Sequence, residues 1–221
     1  MQEKSTISPF AAILAVVASF LLLIFLGSVI LVLFGEGVSI VASELLVLII
    51  PLCYMIYKRV KIRSYIGLDA KPLNILLGIT FGVILLAFDF FVSIILTMIL
   101  GPSQTVEEAN TLLKDMSSSS GGLLLVIISL SLAGICEEFT FRGFLQTAVN
   151  SRYSFGVALL VSSLSFGFFH FDPQAFYTLS AFFMGLLLGY IYHRWHSYVI
   201  AAIAHATLNL ITLTLLLLLV G

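Results

Sequence analysis

The chain has 221 residues, of which 61% are apolar and only 10% charged, with a formal net charge of −1. A soluble domain carries about 25% charged residues, so this chain lacks the polar side chains to cover a water-facing surface. The mean hydropathy of +1.18 and the near-zero charge exclude a soluble enzyme and a nucleic-acid partner, and point to an integral protein of the lipid bilayer. Cys53 and Cys136 both lie in apolar segments, which gives neither a disulfide framework nor a metal-knuckle spacing.

Seven apolar segments succeed one another, at about 9–34, 38–57, 73–100, 122–149, 155–171, 174–192 and 198–220. The first has a single lysine before it, Lys4, and runs for 26 residues. That exceeds a signal-peptide core of about 7–15 residues, so it is expected to stay as the first span. The second and third carry one ionisable residue each, Glu44 and Asp89. The polar connection 101–122 has room for a short surface helix around Val106 to Met116. All seven segments are expected to be helices, because lipid leaves backbone groups no other partner, and roughly 20 apolar residues span a bilayer. The expected fold is all-α and polytopic, with about seven transmembrane helices. Residues 1–119 hold spans 1–3 and the loop, and 120–221 hold spans 4–7, within one membrane unit.

Basic residues test this count, since cytoplasmic loops collect Lys and Arg. Seven spans place Lys4, Lys58, Arg59, Lys61, Arg63, Lys71, Arg152 and Arg194 on one side and Lys114 alone on the other. This predicts a cytoplasmic N-terminus and an external C-terminus.

The ionisable groups within spans are Glu44, Asp89, Glu137, Glu138, Arg142, His170 and His205. Each is a functional candidate, because a charge at mid-bilayer costs about 2.5–3.5 kcal/mol on insertion scales. In ICEEFTFRG, Glu138 and Arg142 are four apart and share a helix face. Glu137 is turned about 100° from Glu138, so it is expected to stay out of that pair and face a polar cavity as a general base. Phe166 and His170 repeat the spacing of four, with Asp172 and Pro173 closing the helix, as do His205 and Asn209. A histidine and an amide on one face can aim donors at a single oxyanion. Gly185 and Gly189 form a small-residue pair suited to close helix packing. Taken singly, Glu44 and Asp89 read as packing or ion-relay groups. No G-x-S-x-G or H-E-x-x-H signature is present.

EEFTFR (137–142) fits E-E-x-x-x-R, FGFFH (166–170) fits F-x-x-x-H, and HATLN (205–209) fits H-x-x-x-N. In order and spacing the chain resembles the CAAX protease and bacteriocin-processing family of intramembrane proteases, which includes the type II prenyl-protein endopeptidases. The resemblance covers about residues 120–215 and implies that spans 4–7 (120–221) are a four-helix catalytic core, and RSYIGL (63–68) looks like the usual lead-in. It implies that Glu137 activates water, that Glu138 and Arg142 hold the motif helix, and that His170 helps to position the water. It implies that His205 and Asn209 stabilise the oxyanion. The cofactor stays undecided between none and one divalent metal ion, zinc, held by Glu137, His170 and His205. The implied substrate is a peptide or lipidated protein in the membrane, and the implied location is a prokaryotic plasma membrane. A non-catalytic bacteriocin-immunity protein is the alternative, with an ion-coupled transporter behind it. Segment edges put Glu137, His170 and His205 about 20, 22 and 11 Å from the inner side, so these residues can meet only if helices tilt or the edges shift.

Overall fold

A computed structural model describes residues 7–219, and Lys4 lies outside the described residues. The chain is a bundle of helices, with no strand among the described residues. Six helices or continuous helical runs are long and apolar enough to cross a membrane. The chain is accordingly a multi-pass integral membrane protein. Helix α1 (Pro9–Phe34) starts at Ser8, whose hydroxyl accepts the Ala11 N–H, with Pro9 in the first turn. Gly35, at φ 79°, reverses the chain into α2 (Glu36–Tyr57), and the two form an antiparallel pair. A single-turn α3 (Ile62–Tyr65) precedes α4 (Pro72–Leu100), which Gly101 ends at φ 81°. Helix α5 (Gln104–Ser117) is the amphipathic surface helix expected in the polar connection.

The fourth apolar segment is one continuous run from Ser120 to Asn150 that changes helix type. It is α6 to Glu138, a π-helical stretch over Phe139–Gln146, and the short α7 (Thr147–Asn150). The fifth segment is α8 (Phe155–Phe169), apolar but only 15 residues long. Helices α9 (Phe176–Trp195) and α10 (Tyr198–Leu219) complete the bundle. The seven expected segments are thus all helical, and the one at 155–171 is shorter than expected because His170 breaks out of the helix.

The basic connections gather at one end of the bundle. Gly67 accepts the Tyr198 N–H at 3.3 Å, Ile66 accepts the Tyr192 hydroxyl at 3.3 Å, and Phe155 stacks on His193 at 3.8 Å. At the other end the Gln104 N–H bonds the Gln174 side chain at 2.7 Å. The lead-in segment therefore clamps the start of α10. Gly67, at φ 67°, lets the loop touch the α9–α10 turn, where a Cβ would fall 1.9 Å from the His196 carbonyl oxygen.

In lipid, apolar burial does not drive helices together, so close backbone approach through small residues does. Helix α10 is held this way on two sides. Gly78 and Gly82 of α4 meet it at Ile203 and Thr207, and Gly134 of α6 meets it at Ala202 and Ala206. A Cβ on Gly134 would lie 2.6 Å from the Ala202 oxygen and 2.7 Å from the Ala206 nitrogen. Backbone cannot give way as a side-chain tip can. Gly134→Ala is therefore expected to destabilise the protein by about 1–3 kcal/mol, measured by denaturant unfolding in detergent. Gly156→Ala adds its methyl to open space and is expected to leave the unfolding midpoint in place.

Candidate active site

Glu137 and Glu138 close the last turn of α6, and both are buried. Glu138 is fully enclosed, and its Oε1 accepts two bonds, from Arg142 Nη1 at 2.9 Å and from His205 Nδ1 at 3.0 Å. Arg142, equally enclosed, also donates from Nη2 to the Gly185 carbonyl at 3.3 Å. Its guanidinium lies 4.4 Å over the Phe166 ring. Four residues on, Gln146 donates to the Gly189 carbonyl at 2.9 Å. The two glycines of α9 thus offer their carbonyls to a matched pair of side chains, and a Cβ on Gly189 would fall 2.7 Å from the Gln146 side-chain oxygen.

Glu137 is the carboxylate outside this pairing. Among the described residues it makes no hydrogen bond; His170 Nε2 stands 3.9 Å from its Oε1, and His205 Nε2 stands 3.9 Å from its Oε2. His170 is the residue that ends α8. Its Nδ1 lies 2.9 Å from the Phe166 carbonyl, one of the last-turn oxygens that no helical N–H can reach. The loop after it is fixed by Asp172, whose carboxylate accepts the N–H groups of Gln174, Tyr177 and Thr178 and so caps α9.

These partners set the tautomers. A carbonyl and an arginine-paired carboxylate can only accept, so each imidazole carries its proton on Nδ1. In a neutral ring so protonated, Nε2 is a lone-pair acceptor, and both Nε2 atoms face the Glu137 carboxylate.

The expected meeting of Glu137, His170 and His205 despite unequal depths has a structural cause. The start of α10 is covered by protein: Tyr198 to Ala202 are buried, and the Tyr198 hydroxyl bonds the Ile135 carbonyl at 2.9 Å. The close packing of Gly134 on Ala202 and Ala206 then sets His205 beside the two glutamates of α6.

Asn209 has a partner that its spacing with His205 does not show. Its amide donates to the Leu130 carbonyl of α6 at 3.3 Å, which leaves one N–H uncommitted. His170, His205 and Asn209 share the wall of a cavity of about 250 Å³ with Asp89, Tyr177 and Ser180. Glu137 is not in that wall but stands next to its two histidines.

Glu44 had no spacing partner in the sequence, yet the structure brings it near the site. Ser129 bonds the Ile40 carbonyl and Thr140 the Val47 carbonyl, each at 3.1 Å, and together they hold the Glu44 stretch of α2 against α6 and the π segment. Glu44 lies within electrostatic reach of Glu137, and its Oε2 is buried without a partner among the described residues.

One carboxylate and two imidazoles are a donor set that zinc accepts. Tetrahedral zinc with ligands at about 2.0–2.2 Å, however, holds its donors about 3.3–3.5 Å apart. The 3.9 Å separations are wider. Among the described residues no group of three His, Cys, Asp or Glu side chains is arranged to hold a metal ion. The expected ligand set is present in type and does not fit in placement.

Compared with known proteins, the family model described as type II CAAX prenyl endopeptidase, Rce1-like, matches residues 119–211. The stretch begins at the N-cap of α6 and ends within α10, and it contains Glu137, Glu138, Arg142, His170, His205 and Asn209. No curated protein and no solved structure matches the chain.

Removing one partner of a buried ion pair strands the other and costs about 3–5 kcal/mol, whereas replacing both with apolar groups costs far less. Arg142→Met is therefore expected to lower unfolding stability by that amount. The double change Glu138→Leu with Arg142→Met is expected to recover part of the loss, as read by denaturant unfolding in detergent.

Proposed function

We propose, on the premise that residues 119–211 form a Rce1-like CAAX endopeptidase domain, that the chain is an intramembrane endopeptidase whose water is activated by Glu137. The observation that carries this reading is the acceptor-only triangle of Glu137, His170 Nε2 and His205 Nε2. A water placed there donates one proton toward Glu137 and the other toward an imidazole, and its oxygen lone pair is left for a carbonyl carbon in the adjoining cavity. Attack forms the C–O bond as Glu137 takes the proton. The free N–H of Asn209 faces the charge that develops on the carbonyl oxygen. Collapse of the tetrahedral intermediate breaks the C–N bond, and Glu137 returns the proton to the leaving amine. The surrounding groups keep the rings still, since Glu138 holds His205 and the Phe166 carbonyl holds His170. The substrate is a membrane-associated peptide or protein, with a prenylated CAAX-type C-terminus as the member of that class the family suggests.

Glu137→Gln keeps the shape and removes the base. It is expected to lower kcat by at least about 10²-fold in a cleavage assay with lipidated and unlipidated peptides, while the unfolding midpoint holds. Undiminished turnover would overturn the assignment. Exhaustive chelation is expected to leave the wild-type rate unchanged, and loss of activity restored by zinc would replace the metal-free route.

A further inference from the structure

Asp89 is the only carboxylate among the residues lining the 250 Å³ cavity. It projects from α4, and its Oδ1 accepts the Ser180 hydroxyl of α9 at 3.2 Å. Among the described residues that is its one bond, and no lysine or arginine pairs with it. A carboxylate beside apolar walls is costly unless something pairs with it. Tyr177 lies within electrostatic reach of Asp89, Glu44 and Glu137 together, while Arg142, the arginine at this level, is committed to Glu138.

The path from the proposed reacting atoms to Asp89 is short. The Tyr177 ring stands edge-on to His170 at 5.2 Å, and Ser180 comes three residues after Tyr177 on the same face of α9. Asp89 and His170 line the same cavity, with Tyr177 and Ser180 beside them in its wall. Val106, Asn110 and Leu113 of α5 close the cavity on its other side.

We propose that Asp89, held by Ser180, is a specificity-determining residue that binds the cationic side chain of a lysine or arginine near the scissile bond. This rests on the endopeptidase reading of Glu137. The second oxygen of Asp89 receives the N–H donors, and the apolar wall of the cavity packs the aliphatic stem, as long basic side chains require.

The test uses full-length protein in detergent and a neutral peptide carrying lysine, or its uncharged isostere norleucine, at each of the three positions on either side of the cleaved bond. Wild type is expected to favour lysine over norleucine at one position. Asp89→Asn is expected to cut that preference roughly tenfold to hundredfold, mainly through KM, as loss of a bond to a charged group does. Ser180→Ala is expected to cut it less, and it serves if Asp89→Asn fails to fold. Binding is read separately by fluorescence anisotropy in a Glu137→Gln background, where adding Asp89→Asn is expected to raise Kd for the lysine peptide by a similar factor. Cleavage with no lysine preference, or Asp89→Asn slowing lysine and norleucine peptides in proportion, would overturn the subsite. Lysine-selective, Asp89-dependent binding by a wild type that cleaves no peptide would instead sustain the subsite and overturn the endopeptidase reading.

Discussion

A carboxylate sealed from water in the middle of a membrane protein has to be bonded, and Glu138 meets that demand with a single oxygen. Its Oε1 accepts hydrogen bonds from Arg142 and His205. Arg142 in turn reaches the Gly185 carbonyl of α9 and covers the Phe166 ring of α8. One buried charge thus ties α6, α8, α9 and α10 to a common point. The cost of breaking that network adds to the close glycine contacts in keeping the helices in register. Glu137 gains its position from this arrangement without contributing to it. The division of labour between two adjacent glutamates is a division between a group that must be satisfied and a group that is left available.

The π-helical stretch makes the arrangement possible. It begins directly after Glu138, and all eight of its residues are buried. Widened turns rotate the downstream part of the helix and leave carbonyls without their usual partners, which is why such stretches concentrate at functional sites. Here the Arg142 carbonyl accepts the Thr147 N–H five residues on and the Thr147 hydroxyl at 3.0 Å, and that hydroxyl lies 2.8 Å from the Tyr192 hydroxyl. The distortion is satisfied by side chains on its own helix and on α9.

Helical spacing was enough to anticipate the Glu138–Arg142 pair, since residues four apart stay within reach even where the turn widens. Composition was enough for an all-helical membrane fold, because lipid removes every alternative but a closed barrel. Three things were not legible. Depth was not, because the start of α10 is covered by protein, and apolarity cannot distinguish a residue buried by lipid from one buried by a loop. The bond from Asn209 to Leu130 was not, because shared face with His205 fixes direction but not the neighbour a side chain finds. The approach of Glu44 to Glu137 was not, because a single residue on its helix has no period to read; its flanking anchors, Ile40 and Val47, are held through backbone carbonyls that carry no sequence signal.

The short α8 bears on the lipid itself. Its outward stripe of Val157, Leu160, Leu164 and Phe168 is exposed, and at 1.5 Å per residue it covers only about 17 Å of height. The hydrocarbon of a typical bilayer is about 30 Å thick. Lipid beside this stripe has to thin or let its headgroups dip, a modest cost per ångström of mismatch. The dimple would form where α8 ends, at His170. Water and the polar backbone of an anchored chain would then meet the two imidazoles without crossing a full leaflet. A truncated helix would in this way set how deep in the membrane the chemistry has to take place.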